Sequence, residues 1–268
     1  MSDDPVVHPR VCVSGISSWN QSLTDDLAMY AELGVHTVGA ALRKLEDEGA
    51  AARLAGSGLR IGNVIGVGPF RLDDPSSWAP QQERVRDALG LASWLGAPHL
   101  VLTTGPAGAL EWDAAADAFS AALAPVLASA PPGVQVCIEH TNSLRVDVGF
   151  VHTLRDALDL ARRLDVLVCM EINACWAERD LALTIADGID RIGVVQVSDY
   201  AVGTLSTPNR LVPGDGDIPL ARIIGQVLGA GYEGLFDLEL VGPRIEEEGY
   251  PSAIGRSAAR LSKILEDA

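Results

Sequence analysis

The feature that most constrains this chain is an eightfold alternation of short apolar runs with longer amphipathic segments. The runs have the length and near-continuous hydrophobicity of parallel strands that are covered on both faces. They occupy residues 11–16, 36–42, 59–66, 99–104, 134–140, 166–172, 192–198 and 234–240. Eight β-then-α units in 268 residues predict an α/β protein built as a single (β/α)8 TIM barrel.

The segments between the runs carry the periodicity of helices that pack one face against a sheet. Thr24 is the expected N-cap of the first helix, whose apolar face would contain Leu27, Tyr30 and Ala31. Several helical segments are followed by a glycine before the next strand. Glycine readily adopts the left-handed backbone conformation that ends many helices. These glycines are Gly34, Gly58, Gly96 and Gly231.

The alternative architecture is an open, doubly wound sheet, which cradles phosphates at a glycine-rich turn after its first strand. Here the first strand leads into VSGISSWN, which lacks the GxGxxG pattern. The proline-rich pieces fall inside the repeat, so we expect one domain over residues 1–268, with residues 1–10 as a loose N-terminal tail.

Charge and cysteine use narrow the range of partners and compartments. The 20 basic and 36 acidic residues leave a net charge of −16, which argues against nucleic acid and anionic membranes as partners. The four cysteines form no CxxC pair, no apolar stretch reaches the length of a membrane span, and the first ten residues lack a signal sequence. These features predict a cytoplasmic protein.

Polar side chains stand at the ends of four consecutive predicted strands. They are Glu139, Glu171, Gln196 and Glu239. The carboxyl ends of barrel strands open into one shared mouth, where three carboxylates would repel one another unless a cation held them. All four donors are oxygens, which favours one Mn²⁺ or Mg²⁺ ion over zinc. By strand alternation, Cys137 and Cys169 would lie one layer below Glu139 and Glu171.

Several motifs resemble those of the xylose isomerase-like TIM barrel superfamily, which includes sugar phosphate isomerases and epimerases and AP endonuclease family 2. The motifs are CIEHTN, CMEINACW, VQVSD, NRLVPGDGDIPL and FDLEL, in the family's order. The resemblance implies metal ligation by Glu139, Glu171, Gln196 and Glu239, and an acid/base role for Glu139 and Glu239. Glu171 stands where the family usually has Asp, and Gln196 where it often has His.

A third departure concerns the substrate. Ala174 stands where the sugar epimerases have a substrate-contacting His, and Trp176 follows it. With Trp19 from the end of the first strand, Trp176 would suit a substrate less polar than a free sugar; packing against a loop is the alternative for Trp176. His140 would line the pocket or lie at the surface. Arg210 would hold an anionic or carbonyl group, or pair with an aspartate of its own loop, Asp215 or Asp217.

Two aspartates complete the candidate residues. Asp199 would accept or share a hydrogen bond that orients a metal ligand, or it would cap the following loop. Asp237 lies two residues before Glu239, so it should also face inward and needs a partner or a proton.

The resemblance implies a metal-dependent isomerase or epimerase that acts on a hydroxy-ketone or sugar-like small molecule through an enediolate. A lyase on the same scaffold, such as an inosose dehydratase or an enzyme eliminating an aglycone from a keto-sugar, is the first alternative. A non-catalytic barrel subunit is the second. An endonuclease of this superfamily needs a histidine cluster at the mouth, which the five histidines do not supply. By analogy with the fold, we expect a homodimer.

Overall fold

The computed structural model describes residues 7–268, and within them eight parallel strands close into a barrel. Neighbouring strands pair in chain order, and β1 closes the barrel against β8 through Val11 and Phe236. The strands are β1 Val11–Ser14, β2 Thr37–Ala41, β3 Arg60–Val67, β4 His99–Thr103, β5 Gln135–Glu139, β6 Leu167–Glu171, β7 Ile192–Val197 and β8 Phe236–Leu238. The predicted single (β/α)8 TIM barrel is therefore confirmed.

The helices form the outer layer of the barrel. They are α1 Leu23–Glu32, α2 Ala50–Ala55, α3 Trp78–Leu95, α4 Trp112–Leu127, α5 Leu154–Leu164, α6 Ile172–Cys175, α7 Leu181–Gly188, α8 Leu220–Gly229, α9 Pro243–Glu248 and α10 Tyr250–Glu266, with 3₁₀ turns at Leu42–Leu45, Pro75–Ser77 and Ile189–Arg191. Gly34 and Gly96 have φ of 64° and 69° as the turn chemistry predicts. No helix within residues 7–268 combines the length and the hydropathy of a membrane span.

The start of α1 corrects two expectations. Ser22, not Thr24, is the N-cap, and its hydroxyl accepts a hydrogen bond from the backbone N–H of Asp25. The buried face of the helix accordingly includes Leu23, Asp26 and Tyr30, while Ala31 is exposed.

The expected loose tail is wrong for residues 7–10. Val7 is buried, and the backbone N–H of His8 donates to the hydroxyl of Ser262 on α10. The guanidinium of Arg10 lies over the rings of Tyr232 and Phe236 at 5.5 and 5.1 Å from their centroids. This segment therefore packs against the bottom of the barrel, and the remainder of the predicted tail, residues 1–6, lies outside the described residues.

Two layers of apolar side chains make the core. The larger one lies between the strands and the helices, and a smaller one fills the barrel itself. The buried members of the inner layer are Ile65, Val101, Cys137, Cys169 and Val194. All four cysteines are free and buried, and burial raises the pKa of the Cys137 and Cys169 thiols. This inner layer is the floor of the site described next.

Candidate functional site

The three glutamates that sequence periodicity placed at the barrel mouth converge there. Glu139 and Glu171 are the last residues of β5 and β6, and Glu239 follows the last residue of β8. All three are buried, and one carboxylate oxygen from each lies within 4.8 Å of the others. Parallel strands of one barrel direct alternate side chains inward, so residues far apart in the chain meet at this point.

The proximity of these carboxylates has an electrostatic cost. Burial raises the pKa of Glu139 well above its usual value, and the charges of Glu239 and Glu171 raise it further. Burial also raises the pKa of Glu239, opposed by the nearby Arg210 guanidinium. Three ionised carboxylates at this spacing require cationic compensation.

Gln196 completes the cluster from β7, where it pairs in register with Glu171 on β6. Its amide nitrogen donates a hydrogen bond to Glu239. Its Oε1 is buried and has no hydrogen-bond partner among the described residues. An unpaired amide oxygen beside three carboxylates is a donor set that a hard divalent cation such as Mg²⁺ or Mn²⁺ fits.

Arg210 supplies positive charge to the same cluster. One guanidinium nitrogen donates to Glu171, and another lies 3.6 Å from an oxygen of Glu239. The alternative of pairing with Asp215 or Asp217 of its own loop is wrong. Asp215 pairs with Arg256 and Arg260 of α10, and Asp217 accepts a hydrogen bond from the backbone N–H of Val202. The loop after β7 thus directs its arginine into the barrel mouth.

Two cavities open at the mouth. The inner cavity, about 280 Å³, is lined by the three glutamates, Arg210 and Asn173, with Ile65 and Val101 of the inner layer below. The outer cavity, about 550 Å³, adjoins it and is lined by Trp19, Val241 and Pro243 among others. The predicted site residue Trp19 therefore lines the outer cavity, which Glu239 also borders, and is 43% exposed.

His140 and Trp176, both predicted to contact substrate, lie outside the two cavities. His140 is fully buried, and its Nε2 accepts a hydrogen bond of 3.2 Å from the backbone N–H of Glu171. Burial lowers the pKa of His140 to about 3, so the ring is neutral and fixes the end of β6. Trp176 packs half-buried against the outer core, because the short helix α6 turns it away from the mouth.

Asp199 organises a loop. Its carboxylate accepts hydrogen bonds from the backbone N–H groups of Tyr200, Gly214, Gly216 and Ile218, at 2.7–3.0 Å. Of the two roles considered from sequence, loop capping is the one the contacts show. This loop carries Arg210, so Asp199 acts on the site through the position of that arginine.

Asp237 faces the barrel interior, as alternation predicts, and one of its two carboxylate oxygens has a partner. That oxygen accepts a hydrogen bond of 3.1 Å from the Asn63 side chain. The other oxygen is buried and has no hydrogen-bond partner among the described residues. Burial raises the pKa of Asp237 to about 6.

Sequence reasoning missed Asn173 and Tyr200, which line the inner cavity. The backbone N–H of Asn173 donates to Glu171 at 3.0 Å, so this residue also fixes the carboxylate. The signal was available in both cases, since each is a polar residue within a few positions of a strand end.

Comparisons with known proteins agree with this geometry. The model of the xylose isomerase-like TIM barrel family matches residues 27–261. The chain belongs to the xylose isomerase-like TIM barrel family. A comparison with curated proteins finds no significant match.

Solved structures of this fold resemble the chain over nearly its whole length. Protein SMc04130 from Sinorhizobium meliloti 1021 is 23% identical, with a TM-score of 0.86 over 96% of this chain and 98% of that one. The IOLI protein, solved with a binding zinc atom, is 14% identical with a TM-score of 0.84 and the same coverage. The 3-keto-D-glucoside 4-epimerase from E. coli is 17% identical with a TM-score of 0.73, over 95% of this chain and 98% of that one. At these identities the likeness concerns the fold.

Proposed function

We propose that this member of the xylose isomerase-like TIM barrel family is a divalent-metal-dependent isomerase or epimerase of a hydroxy-ketone or sugar-like substrate. The observation that carries the proposal is the convergence of Glu139, Glu171 and Glu239 beside the unpaired amide oxygen of Gln196. A structurally similar epimerase of a keto-glucoside and a structurally similar zinc-containing protein support it.

Glu139, Glu171, Gln196 and Glu239 would hold the ion, which we propose to be Mn²⁺ or Mg²⁺ because every donor is oxygen. Such an ion, when bound, polarises a substrate carbonyl and stabilises the negative charge that develops on its oxygen.

The residues of the chain would perform the proton transfer. Glu139 and Glu239 approach the inner cavity from β5 and the end of β8, so one carboxylate can take the proton from the carbon beside the carbonyl. The electron pair of that C–H bond forms an enediolate, and the other carboxylate returns a proton. Return to the opposite face of the same carbon epimerises the substrate, and return to the neighbouring carbon isomerises it.

Arg210 and the apolar floor would complete the reaction environment. The guanidinium lines the inner cavity and can donate to a substrate oxygen. Ile65 and Val101 of the inner layer line the cavity from below, and these apolar side chains limit the water that can reach the enediolate.

Elimination is the second candidate reaction. The outer cavity lies next to Glu239 and has room for a leaving group, which would depart from the carbon next to the enediolate. The two reactions differ in their products, because loss of water or of an aglycone changes the mass and epimerisation does not. Homodimerisation and a cytoplasmic location remain predictions from the sequence.

The test combines metal analysis with isotope exchange. Protein purified without chelators should contain one divalent ion per chain. With Mn²⁺ in D₂O, it should introduce deuterium next to the carbonyl of ketoses or 3-keto-glucosides, detected by NMR.

Glu139→Gln and Glu239→Gln should slow this exchange about 10²–10⁴-fold, the usual contribution of a positioned acid or base. Glu83→Gln, at an exposed glutamate of α3, is the matched control. A metal-free mouth after loading, or exchange that persists in both variants, would contradict the proposal.

A further inference from the structure

The outer cavity adjoins the inner one. Five residues line both cavities, namely Glu239, Arg210, Ile16, Arg145 and Pro208. The outer cavity has a volume of about 550 Å³. A volume of this size next to the reacting groups is typical of sites for ligands larger than a simple sugar.

The walls of the outer cavity differ in chemistry from those of the inner one. Only the outer cavity is lined by the apolar residues Trp19, Val241 and Pro243, and Pro208 and Ile16 extend the same surface. The polar residues that line the outer cavity are Arg145, Arg210, Glu239 and Glu246. Glu246 already accepts a hydrogen bond of 2.8 Å from the Asn20 side chain. The walls that belong to the outer cavity alone thus offer mainly apolar contact area.

Trp19 is held in place although 43% of it is exposed. The guanidinium of Arg43 lies 4.1 Å from the centroid of its ring, and Arg43 also donates a hydrogen bond of 2.8 Å to its backbone carbonyl. Ser17, two residues before Trp19, donates a hydrogen bond of 2.8 Å to the carbonyl of Leu238 on β8. A preorganised aromatic ring loses little entropy when it binds a ligand.

We infer that the outer cavity is a subsite for an aromatic group attached to the reacting sugar-like unit, so that the substrate is an aryl glycoside of a keto-sugar and not a free sugar. This inference rests on the proposed function, because it places the reacting unit at the carboxylates. A second sugar ring would place hydroxyls against the apolar walls formed by Trp19, Val241 and Pro243, where they lose water and gain no hydrogen bond. A planar ring can instead stack on the Trp19 indole and contact the two prolines.

The test is a binding comparison that needs no turnover. Isothermal titration calorimetry of the Mn²⁺-loaded protein compares 4-nitrophenyl β-D-glucopyranoside with methyl β-D-glucopyranoside, which differ only in the group expected in the outer cavity. We expect the aryl glycoside to bind at least tenfold more tightly. Trp19→Ala should bring the two dissociation constants within about twofold of each other, and Trp19→Phe should restore most of the difference.

Trp94→Ala is the matched control, because Trp94 is an even more exposed tryptophan, at 59%, and lies on α3 outside both cavities. It should leave the preference for the aryl glycoside unchanged. Equal affinity for the two probes, no measurable binding of the aryl glycoside, or a preference that survives Trp19→Ala overturns the inference.

The outcome is separate from that of the proposed function. If deuterium exchange is absent but the aryl glycoside still binds more tightly, the catalytic proposal fails and the subsite stands. If exchange on ketoses is normal but the aryl glycoside has no advantage, the subsite fails and the catalytic proposal stands.

Discussion

Arg210 donates a hydrogen bond to Glu171, one of the three carboxylates that would bind a metal ion. The guanidinium and a divalent ion therefore compete for the same oxygen atoms. An arginine in this position lowers the repulsion within the cluster, as a bound ion would.

Replacing Arg210 should strengthen metal binding. Arg210→Met removes the competing charge, so we expect its Mn²⁺ dissociation constant to fall about tenfold, roughly 1.4 kcal/mol, as measured by competition with a chelator. Arg145→Met is the control, because Arg145 lines the same cavity but pairs with Asp147 through two hydrogen bonds. Weaker or unchanged binding by Arg210→Met would show that the two cations do not compete.

Replacing Gln196 should weaken metal binding. Gln196→Leu keeps the shape of the side chain and removes the unpaired oxygen, so the Mn²⁺ dissociation constant should rise at least tenfold. The melting temperature should respond as well: saturating Mn²⁺ at 100 times the dissociation constant stabilises a protein by about 2.7 kcal/mol, and the variant should gain less at the same concentration. An equal thermal shift in both proteins would exclude Gln196 as a ligand.

Asp199→Ala should loosen the loop that carries Arg210. The variant loses four hydrogen bonds from backbone N–H groups to a charged acceptor. One such bond contributes about 1.5–3 kcal/mol, so urea unfolding should show a loss of at least about 3 kcal/mol. Asp199→Asn keeps an acceptor and should recover part of it. Wild-type stability in Asp199→Ala would mean that the loop holds its conformation unaided.

A buried ion pair beneath the loop after β1 gives a prediction independent of the site. Lys44 pairs with Asp26, and both side chains are at most 6% exposed. Lys44→Met leaves the buried Asp26 carboxylate without a charged partner and should lower the free energy of unfolding in urea by about 3–5 kcal/mol. The double variant Asp26→Leu/Lys44→Met removes both charges and should regain most of that loss. If the double variant is no more stable than Lys44→Met, the penalty has another cause.

His99, at the start of β4, should contribute to acid sensitivity. Burial lowers the pKa of His99 below 6.5, so the unfolded chain binds a proton at a higher pH than the folded one. The stabilisation is complete above pH 6.5 and is lost as the pH falls below that value, by at most about 1.4 kcal/mol per pH unit. His99→Gln should therefore lose less unfolding free energy than the wild type between pH 8 and pH 5.5. An equal loss of unfolding free energy in the two proteins over this pH range, measured by urea unfolding, would contradict the prediction.

The fold and the ligand cluster were predictable because both depend on strand periodicity. A strand alternates its side chains at every second residue, so the positions of Glu139, Glu171 and Gln196 follow once each strand's end is known. Trp176 and Arg210 were placed less well because they lie beyond the strand ends, where loop geometry sets direction. The helical turn after Glu171 directs Trp176 outward, and the loop capped by Asp199 directs Arg210 inward. Such contacts between distant segments leave no periodic signal in a single sequence.

The thiols of Cys137 and Cys169 have a consequence for the choice of ion. They lie in the barrel's inner layer, and burial keeps both protonated at neutral pH. A soft ion such as Cu⁺ or Cd²⁺ needs a thiolate, and expelling these protons next to three carboxylates would place still more negative charge in a dry space. The sulfur atoms directly under the mouth are therefore chemically silent, and a hard ion faces no competition from below.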